Sequence, residues 1–328
     1  MNAVKALPWL PWCVCACLLF AGMLLAGCVS QQQDTASGIA EVRSLAQVRG
    51  DAIHRPRHAG ARPVLGLALG GGGLRGYAHV GVLLALEEAG IEVGLIAGTS
   101  AGAVIGAAYA SGRNAADIRQ LALQADIRSL TDWRLSTVSF MRGDALERWA
   151  AAMAGNTAIE AMPRRFGAVA SLIESGEAVL IETGDPGLAI RASAAVPGAM
   201  PAVASPRGPL VDGGISSLVP VRFARAMGAE VVIGVDIYCH SPRQQGNSFL
   251  TAFAKVAHTQ TCLVSRPEML EADVLIAPSV SVTDMNDAAQ RTQAIMAGYR
   301  AAKSAMPQIL ALLDQEPLHK FSLQNSSD

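Results

Sequence analysis

Three short glycine-rich segments carry the residues of this chain that could perform covalent chemistry. They are Gly71-Gly72-Gly73-Leu74-Arg75-Gly76, Gly98-Thr99-Ser100-Ala101-Gly102 and Asp212-Gly213-Gly214. The second has the form G-x-S-x-G, in which a serine stands on a sharp turn between a strand and a helix. The first can direct backbone N–H groups toward a developing oxyanion, and the third can supply a carboxylate base. A nucleophile, a base and an oxyanion hole are the parts that acyl transfer requires.

The first glycine segment is ambiguous when it is read alone. Gly71-x-Gly73-x-x-Gly76 also has the form of a dinucleotide-binding fingerprint, which requires an acidic residue about 20 residues later. The second apolar run ends in Gly98-Thr99-Ser100 and has no carboxylate there. A phosphate P-loop would need Gly-Lys followed by Ser or Thr, and this is absent from the segment. We therefore expect a loop whose amides face a ligand, with Arg75 either supporting the loop or neutralising nearby negative charge.

The base has to be found among the histidines and carboxylates. None of the 6 histidines lies in a recognisable motif. His79 is interpreted as a packing or capping residue, and His240 stays open as a member of a Ser-His-Asp triad. Asp212 follows an apolar run and precedes two glycines, so it is either an ordinary turn residue or a base. Its combination with the other two segments favours the base.

The elements around these segments predict how they are positioned. The chain alternates apolar runs that predict strands with periodic runs that predict helices, at Val64–Leu69, Leu74–Ala89, Ile91–Ala97 and Ala101–Ala110. This alternation is typical of a parallel sheet covered by helices on both faces. Further along, Phe166–Ile173 and Ala178–Thr183 predict a β-hairpin, and residues 287–313 predict one long helix or two shorter ones interrupted by Pro307.

In this order the three segments resemble the patatin-like phospholipase family. A fourth block, residues 192–201 (ASAAVPGAMP), is similar to the family's segment before the aspartate. The resemblance covers about Pro63 to Leu313 and implies a three-layer α/β/α sandwich with a mostly parallel central sheet. It also implies hydrolysis of lipid acyl esters without a metal or cofactor in the catalytic core. The implied roles are nucleophile for Ser100, base for Asp212, oxyanion hole for the amides of Gly71, Gly72 and Gly73, and support of that loop for Arg75.

These observations lead to an expected function. We expect a serine lipid acyl hydrolase of the phospholipase A or lysophospholipase type, whose substrate is a phospholipid or another acyl-ester lipid. An esterase or thioesterase acting on other esters is the nearer alternative, because the dyad does not choose the leaving group. An inactive scaffold protein is the more distant one. The formal net charge of −1 gives no indication of nucleic-acid binding, and no pattern indicates an oligomeric state.

The first residues predict export. A start with one positive charge, Met1–Lys5, is followed by the apolar run Ala6–Ala26 and by Leu25-Ala26-Gly27-Cys28, which resembles a bacterial lipobox. The resemblance implies cleavage before Cys28, a lipid on that cysteine and a place in the cell envelope, with a preference for the outer membrane. An uncleaved membrane span is the alternative, since about 20 apolar residues can cross a bilayer.

These segments give a predicted domain organisation. We expect a signal peptide over residues 1–27, a lipidated N-terminus and polar tether over 28–62, a hydrolase domain over 63–315 and a polar tail over 316–328. Cys239 and Cys262 either pair or are buried thiols, of which buried thiols are the expected outcome.

A second expectation concerns access to lipid. The segment Arg128–Arg142, together with Ala199-Met200-Pro201, either forms an apolar rim that docks on a bilayer or packs in the core.

Overall fold

One mixed β-sheet forms the centre of the structure. The computed structural model describes residues 38–52, 63–133, 139–243, 246, 248–284 and 286–314. In these residues eight strands form one sheet in the order β1-β5-β4-β3-β2-β7-β8, with β6 paired to β4. The strands are β1 Arg43–Ser44, β2 Leu65–Leu69, β3 Leu95–Thr99, β4 Arg165–Leu172, β5 Ala178–Ile181, β6 Leu210–Asp212, β7 Val231–Val235 and β8 Val274–Ile276.

The five strands β4, β3, β2, β7 and β8 run parallel to one another. The pairs β4–β5, β4–β6 and β1–β5 are antiparallel. The predicted mostly parallel sheet is therefore confirmed, and β4 and β5 form the predicted hairpin. Parallel neighbours bring the carboxyl ends of β2 and β3 to the same edge, where open α/β sheets bind their ligands.

Helices cover both faces of this sheet. They are α1 Leu45–Ala52, α2 Tyr77–Glu88, α3 Ala101–Ala110, α4 Ala115–Gln124, α5 Asp144–Met153, α6 Pro186–Ser193, α7 Val221–Ala226, α8 Phe249–Met269 and α9 Ala288–Leu313. Successive strand residues point to opposite faces. Leu67 and Leu69 of β2 therefore join the larger core cluster with residues of α2, α3 and α9. Ala68 joins a second cluster with residues of α7. The result is the expected three-layer α/β/α arrangement.

Residues 38–52, which we expected to belong to a tether, are part of the fold. Strand β1 pairs with β5, and Arg43 of β1 forms an ion pair with Glu182 at 2.8 Å. The side chains of Ile39, Val42 and Val48 are buried. The predicted domain start near Pro63 is therefore too late, because a few apolar residues spaced among polar ones gave no periodic signal. The eight described strands and both main core clusters lie in residues 38–314.

Helices α2 and α9 pack with their backbones in contact. A Cβ atom on Gly81 would lie 1.8 Å from the carbonyl oxygen of Ile295, and one on Gly298 would lie 1.9 Å from that of Ala78. Helix α9 continues through Pro307 without a break, so the alternative of two shorter helices is wrong. In the described part of the chain, no helix combines the length and the apolar character needed to cross a bilayer.

Candidate active site

Ser100 stands on a strained turn between β3 and α3. Its backbone has φ 52° and ψ −117°, a conformation that residues other than glycine rarely adopt. Glycines permit this turn, because a Cβ on Gly98 would lie 2.6 Å from Ala103 Cα and one on Gly102 would lie 2.0 Å from the Leu69 carbonyl oxygen. Such strain costs about 1–3 kcal/mol and persists only where the surroundings enforce it. The predicted G-x-S-x-G turn is thus present between a strand and a helix.

A buried serine holds this turn from the other side. The Ser100 backbone N–H donates to Ser193 Oγ at 2.9 Å, and the Ser193 hydroxyl donates to the carbonyl of Val169 at 2.6 Å. Ser193 ends α6 and is fully buried. Ser193 lies in the block similar to the family, but the sequence assigned it no role. Ser193 and Ser100 are 93 residues apart in the sequence, so no local pattern could have indicated this contact.

The structure brings Asp212 to Ser100. Asp212 ends β6, and its backbone N–H donates to the Ala195 carbonyl at 3.0 Å. Its carboxylate accepts the N–H of Gly214 at 2.7 Å and lines the same cavity as Ser100. Burial raises the pKa of Asp212 to about 6, and the Gly214 N–H and the Ser100 hydroxyl oppose the rise. A carboxylate with this pKa is a stronger base than an ordinary one and is still largely ionised at pH 7.

The glycine loop differs from expectation at one amide. The Gly71 N–H donates to the Leu218 carbonyl at 3.0 Å, so it is occupied and the expectation that it serves the oxyanion hole is wrong. The amides of Gly72 and Gly73 have no acceptor among the described residues. Gly73 has φ 58°, which favours glycine, and begins a short 3₁₀ turn, Gly73–Gly76, that leads into α2. Gly72 and Gly73 thus offer two amide donors of this loop that have no partner in the described part of the chain.

The segment after Asp212 joins the three motifs. The Leu218 carbonyl holds the glycine loop, and the Ser217 carbonyl accepts the Thr99 hydroxyl at 2.8 Å. The Ser217 hydroxyl in turn donates to the buried Glu268 of α8 at 2.9 Å. These bonds fix strand β3, the glycine loop and the turn at Asp212 relative to one another.

Arg75 contacts this arrangement in two ways. Its backbone N–H donates to the Gly72 carbonyl at 3.3 Å. Its guanidinium lies 5.3 Å from the centroid of the Tyr238 ring, within range of a cation–π interaction. The Tyr238 ring packs on His258 of α8, with ring centroids 4.4 Å apart.

The described histidines are engaged away from Ser100. His79 is fully buried, its Nε2 lies 2.8 Å from the Gly70 carbonyl, and burial lowers its pKa to about 4. The neutral ring therefore donates to the carbonyl before the glycine loop, in line with the expected packing role. His240 Nδ1 lies 2.6 Å from the carboxylate of the buried Asp236. The structure thus places an aspartate beside Ser100, and no described histidine. His54, His58 and His319 lie outside the described residues.

An open cavity of about 860 Å³ lies over Ser100 and Asp212. The glycine loop forms part of its wall. Its apolar lining includes Leu74, Val196, Ile215, Leu218 and Val282. Two cations, Arg75 and Arg243, also line it. In the described residues, no three histidine, cysteine or acidic side chains lie close enough together to hold a metal ion.

The cysteines differ from expectation. Cys239 and Cys262 form a disulfide with Cα atoms 5.5 Å apart, so the expectation of buried thiols is wrong. The bond joins the segment after β7 to the middle of α8. Cys28 and the whole predicted signal lie outside the described residues.

The two parts of the predicted rim lie together. The N–H of Phe140 donates to the Gly198 carbonyl, and that of Met141 donates to the Ala199 carbonyl. Trp133 and Phe140 are exposed and Met200 is buried. The predicted rim therefore combines exposed aromatic rings with one core side chain. Residues 134–138 lie outside the described part.

Comparison with known proteins identifies similar sequences over the same region. The family model described as Patatin-like phospholipase matches residues 67–225. An uncharacterized NTE family protein of Mycobacterium tuberculosis is 37% identical over 175 residues, which cover 53% of this chain and 30% of the relative. Lysophospholipase NTE1 of Meyerozyma guilliermondii is 35% identical over 179 residues, covering 53% of this chain and 12% of the relative.

The matched region spans well under half of these two relatives. Among solved structures, VipD from Legionella pneumophila is similar in fold, with a TM-score of 0.51 at 13% identity. That similarity covers 79% of this chain and 72% of VipD.

Proposed function

Because residues 67–225 of this chain belong to the patatin-like phospholipase family, we propose that the protein is a serine hydrolase that cleaves acyl esters of lipids. In this proposal Ser100 is the nucleophile and Asp212 is the only protein base. The observation that carries it is the position of Ser100, on a strained turn, in the same cavity wall as a buried carboxylate whose pKa is raised to about 6. A turn residue of merely structural importance would need neither the burial nor this position beside Ser100.

The first half of the reaction forms an acyl-enzyme. The Asp212 carboxylate takes the proton from Ser100 Oγ as Oγ attacks the ester carbonyl carbon, and the carbonyl electrons move onto the oxygen. The free amides of Gly72 and Gly73 are the donors available to this oxyanion. Removing one such donor from a hydrolase typically costs about 2.7–4 kcal/mol of transition-state stabilisation. The protonated Asp212 then gives its proton to the leaving alkoxide as the ester C–O bond breaks.

The second half releases the fatty acid. Water attacks the acyl-serine carbonyl while Asp212 takes a proton from it. The same carboxyl then returns a proton to Ser100 Oγ as the acyl–serine bond breaks. One group that both takes and gives a proton works best with a pKa near the operating pH, which is what burial of Asp212 provides.

The cavity supports a phospholipid or lysophospholipid as the substrate class. Its apolar lining can receive an acyl chain, while Arg75 and Arg243 can pair with a phosphate. The relative named Lysophospholipase NTE1 supports the same class. The competing proposals are an esterase or thioesterase acting on smaller esters and, further removed, an inactive scaffold.

The location of the reaction is also a proposal. The lipobox-like segment ending at Cys28 supports a lipid anchor in the bacterial envelope. Intact-mass analysis of the exported protein, compared with a Cys28→Ser variant, tests it. We expect cleavage after residue 27 and added acyl mass in the unmodified chain, and neither in the Cys28→Ser variant.

The central experiment is lipid mass spectrometry after incubation of mixed phospholipid vesicles with the protein or with Ser100→Ala. We expect fatty acid and lysophospholipid only from the unmodified protein, with a rate at least about 10⁴-fold above the variant. Ser216→Ala is a matched control and should retain activity, because this half-buried hydroxyl a few residues after Asp212 donates to the Gly176 carbonyl at 2.5 Å and not to a residue of the site. Equal product from all three proteins would contradict the proposed nucleophile.

A further inference from the structure

Helix α8 exposes an apolar face. Phe249, Phe253, Val256, Leu263 and Val264 are all exposed. At about 100° per residue they lie within an arc of about 100° on one side of the helix, which they share with the exposed Gln260. At a rise of about 1.5 Å per residue the stripe extends for about 22 Å. Its two phenylalanines are 84% and 68% exposed, and contiguous exposed apolar surface of this kind marks an interaction site.

The opposite face of α8 is attached to the walls of the active site. His258 packs on Tyr238, Cys262 is bonded to Cys239, and Glu268 accepts the Ser217 hydroxyl. Thr261 of the same helix lines the catalytic cavity. The apolar stripe therefore lies on the outside of an element whose inner side borders the entrance to Ser100.

The charges of this segment are of one sign. Residues 237–267 contain no aspartate or glutamate, whereas Arg243, Lys255 and Arg266 are present. In helical projection Lys255 and Arg266 lie along one edge of the apolar stripe. An apolar stripe with a basic edge is complementary to an anionic lipid surface, in which the acyl region receives the apolar side chains and the headgroups pair with the cations.

We propose that the outer face of α8 docks on an anionic phospholipid bilayer and thereby holds the cavity mouth against the membrane. The choice of a bilayer over a protein partner rests on the charge pattern and, in part, on the lipid substrate of the proposed function. In this arrangement Phe249 and Phe253 enter the interface, and lipid passes from the bilayer along α8 into the cavity. The face is distinct from the predicted rim that carries Trp133 and Phe140.

Vesicle flotation tests this docking without catalysis. The protein is produced from residue 38 onward, which omits the predicted anchor and retains the eight described strands and both main core clusters. It carries Ser100→Ala so that the vesicles stay intact, and circular dichroism first checks that it is folded. Vesicles of phosphatidylglycerol and phosphatidylcholine in equal parts are compared with pure phosphatidylcholine. We expect stronger binding to the anionic vesicles and weaker binding as salt is raised.

Substitutions on and off the stripe locate the surface. Phe249→Ser and Phe253→Ser should each weaken binding about tenfold, as removal of one buried aromatic side chain implies. Arg243→Gln together with Arg266→Gln should weaken binding to anionic vesicles alone. Met296→Ser on α9, whose side chain is 41% exposed, is the matched control and should bind like the parent.

Other outcomes would overturn the proposal. If both phenylalanine variants bind vesicles like the parent, or if Trp133→Ser is the variant that loses vesicle binding, the membrane contact lies elsewhere. A parent that is a dimer by sedimentation, becomes a monomer with Phe253→Ser and does not bind vesicles would assign the face to a second copy of the chain.

A second arm uses the full chain and separates docking from chemistry. Phe253→Ser should lower hydrolysis of vesicle phospholipid about tenfold and leave hydrolysis of a soluble short-chain ester unchanged. An equal loss on both substrates would contradict docking. Absence of all hydrolysis by the unmodified chain would contradict the proposed function, while flotation would still decide the docking surface.

Discussion

The turn around Ser100 and the helix α8 border one cavity, yet they use opposite kinds of surface. The serine turn is buried, enclosed by glycines that no larger residue could replace, and held by the Ser193 hydroxyl. Helix α8 is attached through a few side chains and a disulfide, and it turns phenylalanines to the outside. The first surface keeps atoms in fixed positions, and the second leaves apolar area uncovered.

The two proposed roles, catalysis at Ser100 and lipid docking on α8, account for this difference. Charge development in a transition state is stabilised most by donors and acceptors that are already in place. Binding to a fluid lipid surface does not require donors and acceptors in fixed positions, and it is strengthened by apolar area and positive charge. The comparison predicts that substitutions near Ser100 will change the rate constants, while changes in α8 will change access and local stability.

After that of Ser100→Ala, the largest expected effect is at Asp212. Asp212→Asn should lower kcat/KM by about 10³-fold or more, because the base is removed while the geometry is kept. It should also stabilise the fold at pH 8. Burial raises the pKa of Asp212 from 3.8 to about 6, so the native state resists ionisation, and keeping the charge above pH 6 costs about 3 kcal/mol. The gain should shrink as pH falls through 6 toward 4 and be absent at about pH 3, where the carboxyl is protonated in both states. Activity assays and denaturant unfolding at the two pH values measure both effects.

Asp236→Asn is the matched control for this prediction. Asp236 is also fully buried, but its carboxylate accepts the N–H groups of Tyr238, Cys239 and His240. Its replacement should destabilise the fold at pH 8. The unmodified protein should gain kcat/KM as pH rises through about 6. A destabilised Asp212→Asn protein with full activity would make Asp212 a structural turn residue.

The next effect is expected in α8. Replacing Cys239 and Cys262 with serine removes a cross-link over a sequence separation of 23 residues, worth about 3 kcal/mol in a chain-entropy treatment. Because α8 has few other attachments, hydrogen exchange should become faster in α8 and stay unchanged in β3 and α3. Equally faster exchange in both regions would show that the helix is not a separate unit of stability.

The smallest effect is expected at Ser193. Ser193→Ala leaves the Ser100 N–H and the Val169 carbonyl without their partner, and kcat should fall about tenfold with little change in KM. The pH dependence should stay that of Asp212, since the base is untouched. Ser171→Ala is the control, because the Ser171 hydroxyl is buried without a hydrogen-bond partner, and its removal should leave kcat unchanged. A change in KM alone would argue against Ser193 as a positioning residue.

The sequence by itself determined the chemistry-bearing turns and the layered fold. The turn at Ser100 needs glycine at the positions where two backbone segments approach closely. These glycines are neighbours of Ser100 in the sequence, so the turn can be predicted from a local pattern. Alternating apolar runs and helical periodicity likewise record local burial, which is why the α/β/α class could be predicted. The predicted pair of Ser100 and Asp212 followed from these local demands taken together.

Tertiary structure alone decided which of these groups are free to act. Whether the Gly71 amide is available depends on the Leu218 carbonyl, and whether Cys239 is a thiol depends on the position of α8. The raised pKa of Asp212 arises from burial by segments distant in sequence. Each of these properties depends on a partner far along the chain, and such a partner leaves no mark on the residues around the group it controls.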